Sequence, residues 1–178
     1  NYTMAPSSAS TAKSTALAQD RASDARVDQA DPEITFPDEP RLVAKPSTIP
    51  DAGHGLFVRA AGFRQDEVIT SYTGTVLRTQ NALKLADKSY LMRLGPQVYV
   101  DARGHPECAA RYTNDSGSIY NCIFHKLPEQ GRAELVALRD IAVGEELFVS
   151  YGKWYWQGAG YAPRKPQKKE KPVEAGDG

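Results

Sequence analysis

GHGLFVRAAGFRQDEVITSYTGTVL, residues 53–77, sets the class of this chain. Gly53 and Gly55 bracket a single residue, so the backbone there can approach a ligand closely and adopt conformations that side-chain-bearing residues resist. Taken alone, GxG is equally a tight turn between strands. It is not a dinucleotide fingerprint, because the third glycine and the helix that should come after it are missing. The next residues are β-rich instead. EVITSY (67–72) and TVL (75–77) flank a Thr-Gly pair, which predicts a plain hairpin over 62–77.

The same texture continues outward from this stretch. RLVAK (41–45) lies before it, and YLMRL (90–94), QVYVDA (97–102), CIF (122–124), ELVALRD (134–140) and ELFVSY (146–151) lie after it. Gly and Asp punctuate these short apolar runs at close spacing, which predicts several small sheets rather than two large ones. RTQNALKLADK (78–88) is the one convincing helix, and no internal repeat is present. The class is mainly β with one short inserted helix, and the domain spans 41–161.

The flanks differ in composition. Residues 1–40 are rich in Ser, Ala, Asp and Thr and poor in bulky apolar side chains, so they read as a disordered segment with at most marginal helix over 11–29. Residues 162–178 form a basic, Pro/Lys-rich tail that also reads as disordered. Its PRKPQKKEK run reads as a solvated tail or as a nuclear-import or nucleic-acid-contacting patch, which points to the nucleus, with the cytoplasm as the alternative. The chain starts at Asn1 rather than Met and so reads as a fragment or a processed product.

Composition excludes several classes of function. Among 178 residues, 22 Lys+Arg balance 22 Asp+Glu, which argues against wholesale electrostatic binding of nucleic acid or acidic membranes. No apolar run reaches the roughly 18 residues of a membrane span, and no signal peptide opens the chain. Cys108 and Cys122 cannot build a disulfide framework or fill a four-ligand zinc site, so no metal is expected and the thiols read as reduced. The chain is expected to be soluble.

Two further stretches crowd polar and aromatic side chains. RYTNDSGSIYNCIF (111–124) places Asn114, Asp115, Ser116, Asn121 and Cys122 between aromatic-bearing segments, where a structured loop is the ordinary explanation. Asp115, Ser116 and His125 do not make a hydrolase triad, because the GxSxG elbow is missing. GEELFVSYGKWYW (144–156) runs from a strand into Tyr151-Gly152 and then Trp154, Tyr155 and Trp156, which serve as core, lid or stacking wall.

The order of these features resembles the SET domain of protein lysine methyltransferases. A GxG turn, a strand with YxG, Tyr90 in YLM, then VDA, RxxN, NC and GEEL with YG succeed one another over about 43–156. The resemblance implies a β-clip-like fold of several small sheets with a knot-like C-terminal segment, in which the strand ending at Tyr151 passes near the Asn114 loop. It implies S-adenosyl-L-methionine, wrapped by Gly53, His54, Gly55 and Leu56 and held with help from Asn114 and Asp115 of the family's NHS motif. Tyr90 stands where the family has a cofactor- or channel-contacting tyrosine. Tyr151 is implied as the catalytic residue, contacting cofactor and lining the lysine channel with Phe124, Val149 and Tyr155. The YGxxYW ending is similar to compact viral SET proteins and implies Trp156 as an adenine-stacking residue.

Three departures from the family pattern accompany the match. Asp115 replaces the histidine of NHS. The interval from Asn114 to Asn121 is one residue longer, with Tyr120 in place of a proline. No cysteine-rich post-SET segment is present, so the aromatic cluster, the basic tail or a second subunit of a homodimer must finish the channel. The alternative reading is a catalytically weak, PR-like interaction module, of which Asp115 would be a mark.

The implied reaction dictates what the site must do. The target amine has to be neutral, although free lysine titrates near 10.4. A narrow apolar channel and the positive sulfur both disfavour the ammonium. Positioning then contributes on the order of 7–11 kcal/mol of the barrier. Tyr151 orients the amine and is not a general base, since a phenol titrating near 10 is protonated at neutral pH; the proton leaves to solvent. The resemblance implies that Phe124 and Val149 stand at positions that limit methyl number in this family, and without hydroxyls there di- or trimethylation is expected. The substrate is a lysine-bearing protein or peptide, a histone tail being the commonest for such domains, added as a strand along an exposed edge.

Overall fold

The computed structural model describes residues 32–152 and Pro166. In chain order the strands are β1 (Ile34–Thr35), β2 (Leu42–Pro46), β3 (His54–Val58), β4 (Val68–Tyr72), β5 (Thr75–Arg78), β6 (Leu91–Arg93), β7 (Val98–Asp101), β8 (Cys122–Leu127) and β9 (Arg132–Ala137), with a helix α1 (Thr79–Leu83) after β5. They form three antiparallel sheets of three strands each, ordered β1-β2-β3, β4-β9-β8 and β5-β7-β6. The expectation of a mainly β chain built from small sheets with one short helix is met.

Four local readings change. The hairpin over 62–77 does not form, because β4 pairs with β9 and β5 pairs with β7. The chain leaves one sheet for another at Gly74, which lies so close to β7 that a Cβ there would sit 2.3 Å from the Asp101 carbonyl oxygen. The helix expected over 78–88 closes after Leu83. Ala82 is its only buried residue and no side chain caps its N-terminus, so neither packing nor capping carries it further. The ordered region starts before residue 41: β1 pairs with β2, and Phe36 is buried against the main core. Average composition over 1–40 conceals the two bulky residues, Ile34 and Phe36, that anchor this piece. Residues 1–31 and nearly all of the 162–178 tail lie outside the described residues.

ELFVSY is the fourth change, and it positions the site. This stretch is not a ladder strand but a thread that takes a new partner at nearly every step. Gly144 N–H donates to Val58 O, Val58 N–H to Glu145 O, and Leu147 N–H to Leu56 O. Phe148 N–H then donates to the Asn121 side-chain oxygen at 2.7 Å, while Phe148 O accepts from the amides of Asn121 and Cys122. Val149 N–H donates to Asn114 O at 3.0 Å. Asn121 is buried, and its amide group also donates to Glu146 O at 2.8 Å. One side chain therefore satisfies two backbone groups of the thread that burial would otherwise leave without partners.

Two hydrophobic clusters flank the thread. Leu42, Leu56, Ile69, Leu135, Ile141, Leu147 and Val149 belong to the larger, and Tyr72, Leu94, Val100 and Cys108 to the smaller. Phe124 packs against both. Cys122 lies within the larger cluster, and burial pushes its thiol up to about 12 from an ordinary 9.0. The neutral thiol is thus favoured in the folded state. Its contribution to stability is fully present below pH 9 and is lost as pH rises towards 12. Unfolding free energies measured in urea between pH 9 and pH 11 are expected to fall more steeply for the wild type than for Cys122→Ala, by up to about 1.4 kcal/mol per pH unit. Parallel slopes would show that this thiol does not titrate abnormally.

Candidate active site

Three chain segments meet where the thread ends. The first is the turn carrying Gly53, whose φ of +69 lies in the left-handed region that glycine adopts without strain. Its carbonyl accepts from Ser47 N–H at 2.8 Å. A Cβ built on Gly53 would meet nothing within 4 Å, so this side of the turn is open. Gly55 is the opposite case, because a Cβ there would lie 2.0 Å from Glu146 Oε1. Glu146 is buried and its carboxylate cannot yield easily: Oε1 accepts from Ser47 Oγ at 2.6 Å, and Oε2 accepts from Thr48 N–H at 2.8 Å and Thr48 Oγ1 at 2.5 Å. The thread and the glycine turn are thereby locked together.

The second segment comes after the short 3-10 helix Ala109–Tyr112. Asn114 Nδ2 donates to His54 O at 3.0 Å, joining this segment to the glycine turn. Asp115 is buried, with Oδ1 accepting from Gly117 N–H and Oδ2 from Tyr151 N–H, both at 2.7 Å. The third segment is the end of the thread. The Tyr151 hydroxyl donates to Thr113 O at 2.7 Å, so the residue is tied at its amide and at its phenol to the same stretch of chain. Two polar atoms at this junction, His54 Nε2 and Thr113 Oγ1, are buried without a hydrogen-bond partner among the described residues.

Aromatic and cationic side chains extend the site. The His54 and Tyr112 rings meet edge-on at 6.4 Å, and Phe36 backs Tyr112 at 5.8 Å. The Arg111 guanidinium lies 4.1 Å from the Tyr90 ring centroid and 5.3 Å from that of Tyr112, a cation–π arrangement that links the glycine turn to Tyr90. Tyr72 OH donates to Tyr90 O at 2.8 Å, and its ring meets Phe124 edge-on at 5.6 Å. Burial raises the Tyr72 phenol above its ordinary value, which keeps it protonated and a donor; burial raises Tyr112 as well.

Gly53, His54, Asn114, Asp115 and Tyr151 are therefore brought together by direct hydrogen bonds or by adjacency. Tyr90 joins them through Arg111 and Tyr112, and Phe124 joins Tyr90 through Tyr72. Leu56 and Val149 are core residues at 0% and 1% exposure, packed in the larger hydrophobic cluster. Tyr155 and Trp156 lie outside the described residues. Sequence reasoning did not single out Tyr72, Thr113, Arg111 or Glu146. The YxG and RxxN spacings contained the first and third, but Thr113 acts through its carbonyl and carries no side-chain signal. Among the described residues no group of three or more His, Cys, Asp or Glu could hold a metal ion.

The SET domain profile matches residues 53–152, more than half of the chain. The chain belongs to the SET-domain family. Among the described residues, the three small antiparallel sheets and one short α-helix agree with a SET fold, and SET domains are in general protein lysine methyltransferases that use S-adenosylmethionine. A comparison with curated proteins gives no match.

The Gly55–Glu146 contact generates a stability prediction. Gly55→Ala must push the carboxylate off Ser47 and Thr48, and is expected to lower the unfolding free energy by about 2–4 kcal/mol in urea. Because the cost arises from Glu146, the same substitution in a Glu146→Ala background should cost far less. Equal costs in both backgrounds would rule out this contact as the reason for the glycine.

Proposed function

We propose that this chain is an S-adenosylmethionine-dependent protein-lysine N-methyltransferase. The observation that carries the reading is Tyr151, fixed at both ends by Thr113 and Asp115 beside the Asn114–His54 bond that joins the glycine turn. The residues present fit an adenosyl ligand. The turn is open at Gly53, and His54 Nε2 and Thr113 Oγ1 supply buried polar atoms without protein partners among the described residues. Gly53, His54 and Asn114 would hold the cofactor, with Tyr90 beside them. When bound, S-adenosylmethionine supplies an electrophilic methyl group on a positively charged sulfur.

The chain's own residues do the rest by position. With its proton given to Thr113 O, the Tyr151 phenol has only acceptor capacity left. It orients the lysine amine and takes no proton from it, consistent with a group that ordinarily titrates near 10. Phe124 and the edge of Tyr72 make an apolar wall that disfavours an ammonium and favours the reactive neutral amine. The released proton goes to solvent. Phe124 brings no hydroxyl to hold a water or a partly methylated amine, which supports di- or trimethylation. The substrate is a lysine-bearing protein or peptide, with a histone tail the first to test, and the PRKPQKKEK tail accords with a nuclear site of action.

Titration calorimetry with S-adenosylhomocysteine is expected to give micromolar binding, weakened at least about ten-fold in Asn114→Ala. No binding to the wild type would favour an interaction module instead. Mass analysis of reacted peptides should show di- or trimethyl lysine, shifting to monomethyl in Phe124→Tyr. A wild type that yields only monomethyl product, unchanged by that substitution, would remove the assignment of Phe124.

A further inference from the structure

The geometry points to Asp115 as the positioning residue of Tyr151, an assignment that rests on the methyltransferase reading. The family's NHS motif implies that this position contacts cofactor, and replacing its histidine with Asp reads at first as decay. The hydrogen bonds here have a different logic. A carboxylate offers acceptor sites on two oxygens, and Asp115 uses one for Gly117 N–H and the other for Tyr151 N–H, both at 2.7 Å. A neutral imidazole has one acceptor nitrogen and could not serve both amides. Bonds from backbone N–H to an ionised carboxylate are short and roughly twice as strong as neutral ones.

The place of this bond in the chain explains why it matters. Val149 N–H is the last amide of the thread that a backbone carbonyl of this loop holds, through Asn114 O. Immediately beyond Tyr151 the chain turns at Gly152, with φ of +81, where backbone freedom is greatest. Asp115 therefore attaches the chain at the residue immediately before a permissive glycine. Its partner at the other end of Tyr151 is Thr113 O, two residues earlier. A small pivot at the Tyr151 amide would be magnified at the distant phenol oxygen, and misplacement by about 1 Å can cost on the order of 100-fold in rate. Asp115 acts through Tyr151 and needs no contact with the reacting atoms.

Asp115→Asn tests this, because the amide keeps the shape but presents an NH2 group to one of the two backbone donors. For the positioning role, kcat of methyl transfer falls about 10- to 100-fold while the affinity for S-adenosylhomocysteine stays within about two-fold. In the same variant, hydrogen exchange at the Tyr151 amide accelerates while the Val149 amide stays protected. Affinity that falls in step with kcat would make Asp115 a cofactor-holding residue and overturn the proposal. Unchanged Tyr151 exchange would overturn it too. If the wild type transfers no methyl group to any lysine substrate, the functional reading fails, and Tyr151 exchange alone then decides whether Asp115 positions it. Should Asp115→Asn not fold, acid titration of the wild type gives the answer by NMR. The amide resonances of Gly117 and Tyr151 must then move together with one midpoint, and a Tyr151 amide that ignores the transition sinks the idea.

Discussion

Between residues 144 and 151 the chain changes hydrogen-bond partner almost residue by residue, and every feature of the site depends on that passage. It begins against β3 through Val58 and Leu56, passes the Asn121 side chain, then Asn114, and ends on Asp115. A strand in an ordinary sheet has one neighbour on each side and a register that a slip could alter. A thread bonded to three separate segments, β3, Asn121–Cys122 and Asn114–Asp115, has no alternative register. Once it is in place, the glycine turn, the polar loop and Tyr151 have little freedom relative to one another.

Apolar burial and polar satisfaction divide the work. The driving force comes from residues such as Leu42, Leu56, Leu135 and Leu147, all fully buried, each contributing roughly 1.5–3 kcal/mol by leaving water. Such burial is non-directional and would tolerate many packings. Direction comes from a few buried polar side chains: Asn121 on the thread, Glu146 on the Ser47–Thr48 turn, Asp115 on Tyr151. Each would be costly if left without partners, so each admits few arrangements. These buried groups fix where the thread meets the Ser47–Thr48 turn, Asn121 and the Asp115 loop.

Legibility in the sequence tracked the range of the interactions. Strands such as β2, β6 and β7 were readable because short β-rich runs bounded by Gly or Asp carry a local signal. The Thr-Gly pair at 73–74 carried the same signal and misled, since a tight turn says nothing about whether the two strands it joins will pair. Here β4 found β9 and β5 found β7, each far along the chain. Helical composition over 78–88 misled as well, because five residues without a buried stripe or a cap are all that packing retains. Tyr72 went unnoticed as a site residue although its spacing to Gly74 was visible. Only the edge contact with Phe124 and the bond to Tyr90 O reveal its role.

By itself the sequence determined the mainly β class, the order of GxG, RxxN, NC and YG, and through that order the family. These are properties of composition and succession, and they survive without coordinates. The tertiary structure alone decided that Asn114 reaches His54 across 60 residues, that Asp115 holds Tyr151 across 36, and that Glu146 closes on Ser47 across 99. It also decided that Leu56 and Val149 pack in the larger hydrophobic cluster. Hydrogen-bond partners at such separations leave no periodicity in the chain, because they are selected by the packing of the whole domain and not by neighbours in sequence.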